Sequence, residues 1–156
     1  MNHADLISTY LAGPGLVRQA VAGMSREQLH AKPIAGKWST HQVVCHLADT
    51  EAVYAERMKR VIAEHKPPLP AMDPDAWMAQ LASPERVIEE ELRLIELIRN
   101  QMGHILCSLK PDDFRRRGIH SDDGPMALET LLTRITGHMP HHVRFINEKK
   151  RAIKEP

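Results

Sequence analysis

Residues 137 to 142 read GHMPHH, three histidines and a proline in six positions. Imidazole is the commonest metal-binding side chain and the one that titrates near neutral pH. The chain carries ten histidines, scattered rather than consecutive, so no purification tag accounts for them. If the hexapeptide is helical, His138 and His142 stand at i and i+4 on one face, the spacing that helical zinc sites use. His141 then points elsewhere. A further histidine, His46 in the stretch HLADTE, lies far earlier in the chain.

The meaning of that spacing depends on the elements that carry it. A helical period dominates. The first segment runs from about Ala4 to Met24, and Gly13, Pro14 and Gly15 predict a short helix, a kink and a second helix. Ser25 to Gln28 and Ser39 to Gln42 each fit a capping box. The second of these opens a helix to about His65, stopped by KPPLP at residues 66–70. Asp73 and Pro74 predict a short helical turn around Trp77. Ser83-Pro84 reads as an N-cap with proline at the first helical position. It starts a helix to about Leu109 whose apolar face is Val87, Ile88, Leu92, Ile95, Leu97, Ile98, Met102 and Ile105. A polar loop follows Lys110-Pro111, and a last helix runs from about Met126 to Ile153. No strand alternation or hairpin signal competes. The expectation is a four-helix bundle whose long connections permit crossovers.

Helical residues advance about 100° each. With Val43 as origin, Leu47, Tyr54, Met58 and Val61 form the core stripe of the second long helix. His46 falls about 60° to its other side and Asp49 about 120° out. His41 and Cys45 point away, to the surface or a second interface. With Ile135 as origin on the last helix, Leu128, Leu131, Leu132, Met139 and Ile146 form the stripe. His142 lies about 20° from its centre, His138 about 60°, and His141 about 120°.

One inward histidine is ordinarily a core residue with a good hydrogen bond. Two neighbouring imidazoles on an apolar face need two sets of partners, and neither charges readily there. A metal ion satisfies both, and His46 supplies a third ligand. Three neutral imidazoles with an open position form the usual layout of a catalytic ion. The other readings are a metal-free bundle whose histidines bond one another and nearby carboxylates, and an ion held without turnover. Asp49 is the candidate catalytic base or orienting group, beside its plainer reading as a solvated carboxylate. Glu51 faces differently. Trp38 reads as a pocket wall or a buried anchor. Pro140 removes the N–H that would bond the Thr136 carbonyl and predicts a kink between His138 and His142.

Trp38-Ser39 in GKWST, His46, Asp49 and Glu51 in HLADTE, and His138 and His142 in HMPHH occur in this order. In that order and separation they resemble the markers of the DinB-like (YfiT-like) family of metal-dependent enzymes, over nearly the whole chain. The resemblance implies an all-α four-helix bundle with a long crossover, here one domain over residues 1–156, and often a homodimer. It implies a divalent metal, zinc or nickel, held by His46, His138 and His142. It also implies a thiol S-transferase that joins a small-molecule thiol to an electrophile. The alternatives are a metal-dependent hydrolase and a non-enzymatic metal- or ligand-binding stress protein. At such a site a thiol ionises readily, and a water pKa falls to roughly 7. The chain departs from relatives at Pro140 and at Phe145, where a polar residue is frequent.

Composition narrows the partners. The 21 basic and 20 acidic side chains balance, no block of one sign stands out, and aromatic residues are 4%. Nucleic acid and anionic membrane are therefore not expected. No apolar run approaches membrane-spanning length and no secretory leader pattern is visible, so a cytoplasmic chain is expected. Cys45 and Cys107 form no disulfide or catalytic signature.

Overall fold

The computed structural model describes residues 2–82 and 84–154. Four helices begin where a side chain satisfies their free N–H groups. Helix α1 (His3–Val21) is capped by Asn2, whose Oδ1 accepts from the Asp5 amide at 2.8 Å. Capping boxes open the short α2 (Arg26–His30) at Ser25 and α3 (Thr40–Ala63) at Ser39. Asp73 caps α4 (Pro74–Leu81). The remaining long helices are α5 (Ile88–Cys107) and α6 (Leu128–Lys154).

The four long helices close a ring in which α1 and α3 each pack on both α5 and α6. The steps from α1 to α3 and from α5 to α6 therefore cross the bundle diagonally, as the long connections allow. The α6 stripe is buried as expected, with Leu128, Leu131, Leu132, Ile135, Met139 and Ile146 fully enclosed. Met126 and Phe114 extend this core below α6, while Val43, Val44, Leu47, Leu92 and Ile95 fill the other end.

Four expectations are corrected. First, α1 is one continuous helix through Pro14. Proline cannot donate to the Tyr10 carbonyl one turn back. The buried Arg99 guanidinium donates to that carbonyl instead, and its Nη2 donates to the Ile135 carbonyl at 3.0 Å. Gly13 makes room for it, since a Cβ there would overlap Arg99 Nη1.

Second, α5 starts at Ile88 with Val87 as its N-cap, not at Pro84; Ser83 lies outside the described residues. Arg86 holds the preceding strap down on α3, with Nη1 and Nη2 each 3.0 Å from an Asp49 oxygen. Val87 and Leu97, counted on the apolar face, are 51% and 63% exposed.

Third, the polar loop before α6 is not all loop. After a 3₁₀ turn at Pro111–Arg115 it forms β2 (Arg117–His120) and β3 (Gly124–Ala127), antiparallel with Gly118 opposite Met126. The short β1 (Pro68–Leu69) pairs parallel to β2. Asp123-Gly124 makes the turn, with Gly124 at φ +71°, a value that favours glycine.

Fourth, His41 and Cys45 are not surface residues; they fill the second interface. The His41 Nε2 sits 2.9 Å from the Arg86 carbonyl, and its ring stacks on His30. No helix among the described residues is long and apolar enough to cross a membrane.

Candidate metal centre

His46 follows the α3 capping box by under two turns, and His138 and His142 lie on successive turns of α6. Packing of α3 on α6 brings the three rings together. Nε2 of His138 is 3.2 Å from Nε2 of His46 and 3.1 Å from Nε2 of His142. Helix α6 runs on through Pro140, which is exposed. His141 stays outside the cluster, exposed, with Nδ1 3.0 Å from Arg144.

Burial, and then the neighbouring imidazoles, push His138 and His142 down from the ordinary 6.5 to about 3. Burial also lowers His46, against an opposing pull from the Asp49 and Asp75 charges. All three rings are thus neutral at physiological pH.

Neutrality makes hydrogen bonding alone a poor account of the cluster. Each neutral ring has one N–H and one in-plane lone pair. His138 Nε2 faces two other Nε2 atoms, so a proton there serves one contact and leaves the other without a donor and acceptor pair. A lone pair there must be shared by two donors. The Nδ1 atoms of His138 and His142 are buried and unpartnered among the described residues. A divalent ion accepts three Nε2 lone pairs at once. Zinc–nitrogen bonds of about 2.0–2.1 Å give nitrogen–nitrogen edges of about 3.3 Å in a tetrahedron. The two observed edges, 3.2 and 3.1 Å, are close to that value. The donor set fits a borderline divalent ion.

The cluster lies at the wall of a cavity of about 420 Å³ between α3, α6 and the loops beside β1 and β2. Trp38 is a wall of this cavity, its ring 5.1 Å from His46. It also borders a second cavity of about 300 Å³, which shares His142 with the first and is lined by Asp75, Phe145 and Lys149. Asp49 does not line either cavity. It is held bidentately by Arg86, which also binds Glu91 at 2.6 Å, and it acts on His46 only through space. Glu51 is fully buried on the opposite side, 2.6 Å from Arg99 Nη2.

Thr50, Arg57 and His120 are among the wall residues not singled out from the sequence. A signal for two of them was present. Thr50, Val53 and Arg57 follow His46 at i+4, i+7 and i+11, one straight stripe on a helix. His120 was unreadable without β2.

Residues 10–146 match the sequence profile of the DinB superfamily. The chain belongs to this superfamily. Among similar proteins, one from Oceanobacillus iheyensis is 30% identical over 85% of this chain and 77% of its own length. One from Geobacillus thermodenitrificans is 32% identical over 85% and 75%. YfiT of Bacillus subtilis is 30% identical over 90% and 79%. All three bear the name "Putative metal-dependent hydrolase". The solved structure of Bacillus subtilis YfiT superposes with a TM-score of 0.90 at 27% identity, covering 97% of this chain and 87% of that one. It is described as a probable metal-dependent hydrolase with an unusual four-helix bundle topology. The diagonal steps from α1 to α3 and α5 to α6 accord with that description.

Proposed function

We propose that this chain is a metal-dependent hydrolase of small molecules, with His46, His138 and His142 holding one divalent ion, zinc or nickel. The observation that carries the reading is the convergence of three neutral Nε2 atoms at the edge of a cavity large enough for a small substrate. The names of the relatives support hydrolysis. When bound, the ion supplies the Lewis acidity that lets a nucleophile ionise near neutral pH.

The chain's own residues do the rest. The three rings present unprotonated nitrogens, and burial keeps them so. Trp38 walls the cavity and excludes water from one side of His46. Asp49, once the candidate base, is engaged by Arg86 and serves the electrostatics of His46. Asp75, at the first turn of α4, has no side-chain partner among the described residues and borders the second cavity beside His142. We assign it the role of proton acceptor.

A second reading, transfer of a small-molecule thiol to an electrophile, is favoured by one feature: two cavities meet at Trp38 and His142. Two reactants need two rooms, and a thiol bound at the ion would ionise readily, its proton passing to water without a protein base. A homodimer belongs to the same proposal, supported by Leu94 and Leu97, 43% and 63% exposed on α5.

The test is metal analysis of protein purified without a tag, followed by turnover of ester and amide probes with and without added thiols. One ion per chain, lost in His142→Ala, and probe hydrolysis abolished by chelation are expected. Full metal occupancy with acceleration only of thiol addition replaces hydrolase by transferase. Full occupancy with neither activity leaves a binding protein, and unchanged metal in His142→Ala removes the three-histidine site.

A further inference from the structure

Arg57 is 5% exposed, lines the large cavity, and forms no ion pair among the described residues. Its Nη2 donates to the Pro70 carbonyl at 2.5 Å, and its guanidinium lies 5.2 Å from the Tyr54 ring centre. These contacts fix the position of the group and leave its Nε–H buried without an acceptor among the described residues. An unpaired buried guanidinium is costly, and one beside a cavity meets its acceptor in what fills the cavity.

Two further donors sit on the same wall. Thr50 Oγ1 is buried and unpartnered among the described residues. The His120 Nδ1 accepts the backbone N–H groups of Asp122 and Asp123, both at 3.3 Å, which places the ring proton on Nε2. No hydrogen bond engages that Nε2 among the described residues. The charged wall residues are Arg57, Arg134, Asp122 and Asp123, and Arg134 is spent on Asp123 at 2.5 Å. The two arginines balance the two aspartates, so a divalent ion leaves the cavity net positive.

We propose that Arg57, with Thr50 and His120 as supporting donors, is the specificity-determining residue that binds a carboxylate on the substrate, the end remote from the metal. Arg57 follows His46 by eleven residues, about 16 Å along the helix axis. Helical side chains lean toward the N-terminus, so the guanidinium reaches back toward the cluster. The substrate is thus an elongated monoanion or dianion, its reacting group at the histidines and its carboxylate at Arg57. This rests on the open metal position of the proposed function.

The test uses cobalt-loaded protein and two matched series of increasing length, ω-mercapto carboxylic acids and ω-mercapto alcohols. The thiolate–cobalt absorption band and calorimetry both report the Kd. Above a threshold length, the acid binds about tenfold to a hundredfold tighter than its alcohol. Arg57→Met removes that preference while changing the alcohol Kd by less than about twofold, and Arg57→Lys restores part of it. Cobalt stoichiometry and circular dichroism confirm that the variants fold, and the wild-type comparison stands without them. Equal binding of acids and alcohols at every length, or a preference that persists in folded Arg57→Met, overturns the role of Arg57 alone. A cobalt spectrum unmoved by any thiol overturns the open metal position itself, and the role of Arg57 with it.

Discussion

Protons and metal compete for the same imidazole nitrogens, so the neutrality of the cluster has a measurable consequence. A histidine at its ordinary value of about 6.5 is roughly nine-tenths protonated at pH 5.5, and a pair of them must release about 1.8 protons when a metal binds. His138 and His142 stand instead at about 3. At pH 5.5 such groups are well under about 1% protonated and release almost nothing. The sign is fixed by the cause: burial disfavours the imidazolium and so removes the competitor for the lone pair. Between pH 7.5 and 5.0, two ordinary histidines would weaken metal affinity about a thousandfold. Here those two residues leave it nearly flat.

Calorimetric titration of the metal-free protein with zinc at pH 5.5, in two buffers of different ionisation enthalpy, gives the proton count directly. The expected count from His138 and His142 is near zero. The total also includes His46, which can release at most one proton, so a count near two or above would mean that at least one of the two rings is solvated and charged before the metal arrives. The cluster would then assemble only on binding, and the packing reason given for its neutrality would be refuted.

Two further predictions concern the frame that holds the cluster. Arg99→Met strands the fully buried Glu51 and removes a donor from the Tyr10 carbonyl, and should cost about 3–5 kcal/mol in urea unfolding followed by circular dichroism. Adding Glu51→Gln should recover part of this, and a double variant no more stable than Arg99→Met would refute the pairing. Gly13→Ala should lower Tm, because overpacking against Arg99 costs about 1–3 kcal/mol against a helical gain of at most about 1 kcal/mol. A raised Tm would show that Arg99 moves freely.

The helices and the clustering of the histidines were legible in the sequence because both rest on periodicity. The α6 stripe follows from a 3.6-residue repeat, and the same repeat sets His138 and His142 beside the core and His141 outside. Periodicity fails where a contact between distant residues decides. Pro14 reads as a break until Arg99 is seen to serve the carbonyl that proline leaves free. Asp49 reads as a candidate base until Arg86, from a strap 37 residues later in the chain, is seen to occupy both its oxygens. The hairpin of β2 and β3 was missed although Asp123-Gly124 is a turn signal, since four-residue strands give too little alternation to read. His120 went unnoticed with it, whereas Arg57 stood on the His46 stripe of α3 and only the packing of the cavity wall showed what that stripe faces.

Where the frame takes its stability bears on what the metal is for. The polar device that locks the bundle is Arg99, which touches α1, α3 and α6 from α5 through Tyr10, Glu51 and Ile135. It does not line the cavity of the histidines and needs no ion. The apolar cores on either side are likewise complete without the histidines, which sit at a cavity edge rather than in the centre of either cluster. A metal that held the fold together would be expected at the most enclosed crossing of helices, with four protein ligands and no adjoining space. Here the most enclosed crossing belongs to an arginine. The three histidines instead face a cavity that carries a buried guanidinium without an ion pair among the described residues. Removing the ion should therefore leave the bundle standing, and that is the condition under which an open ligand position can be used for chemistry.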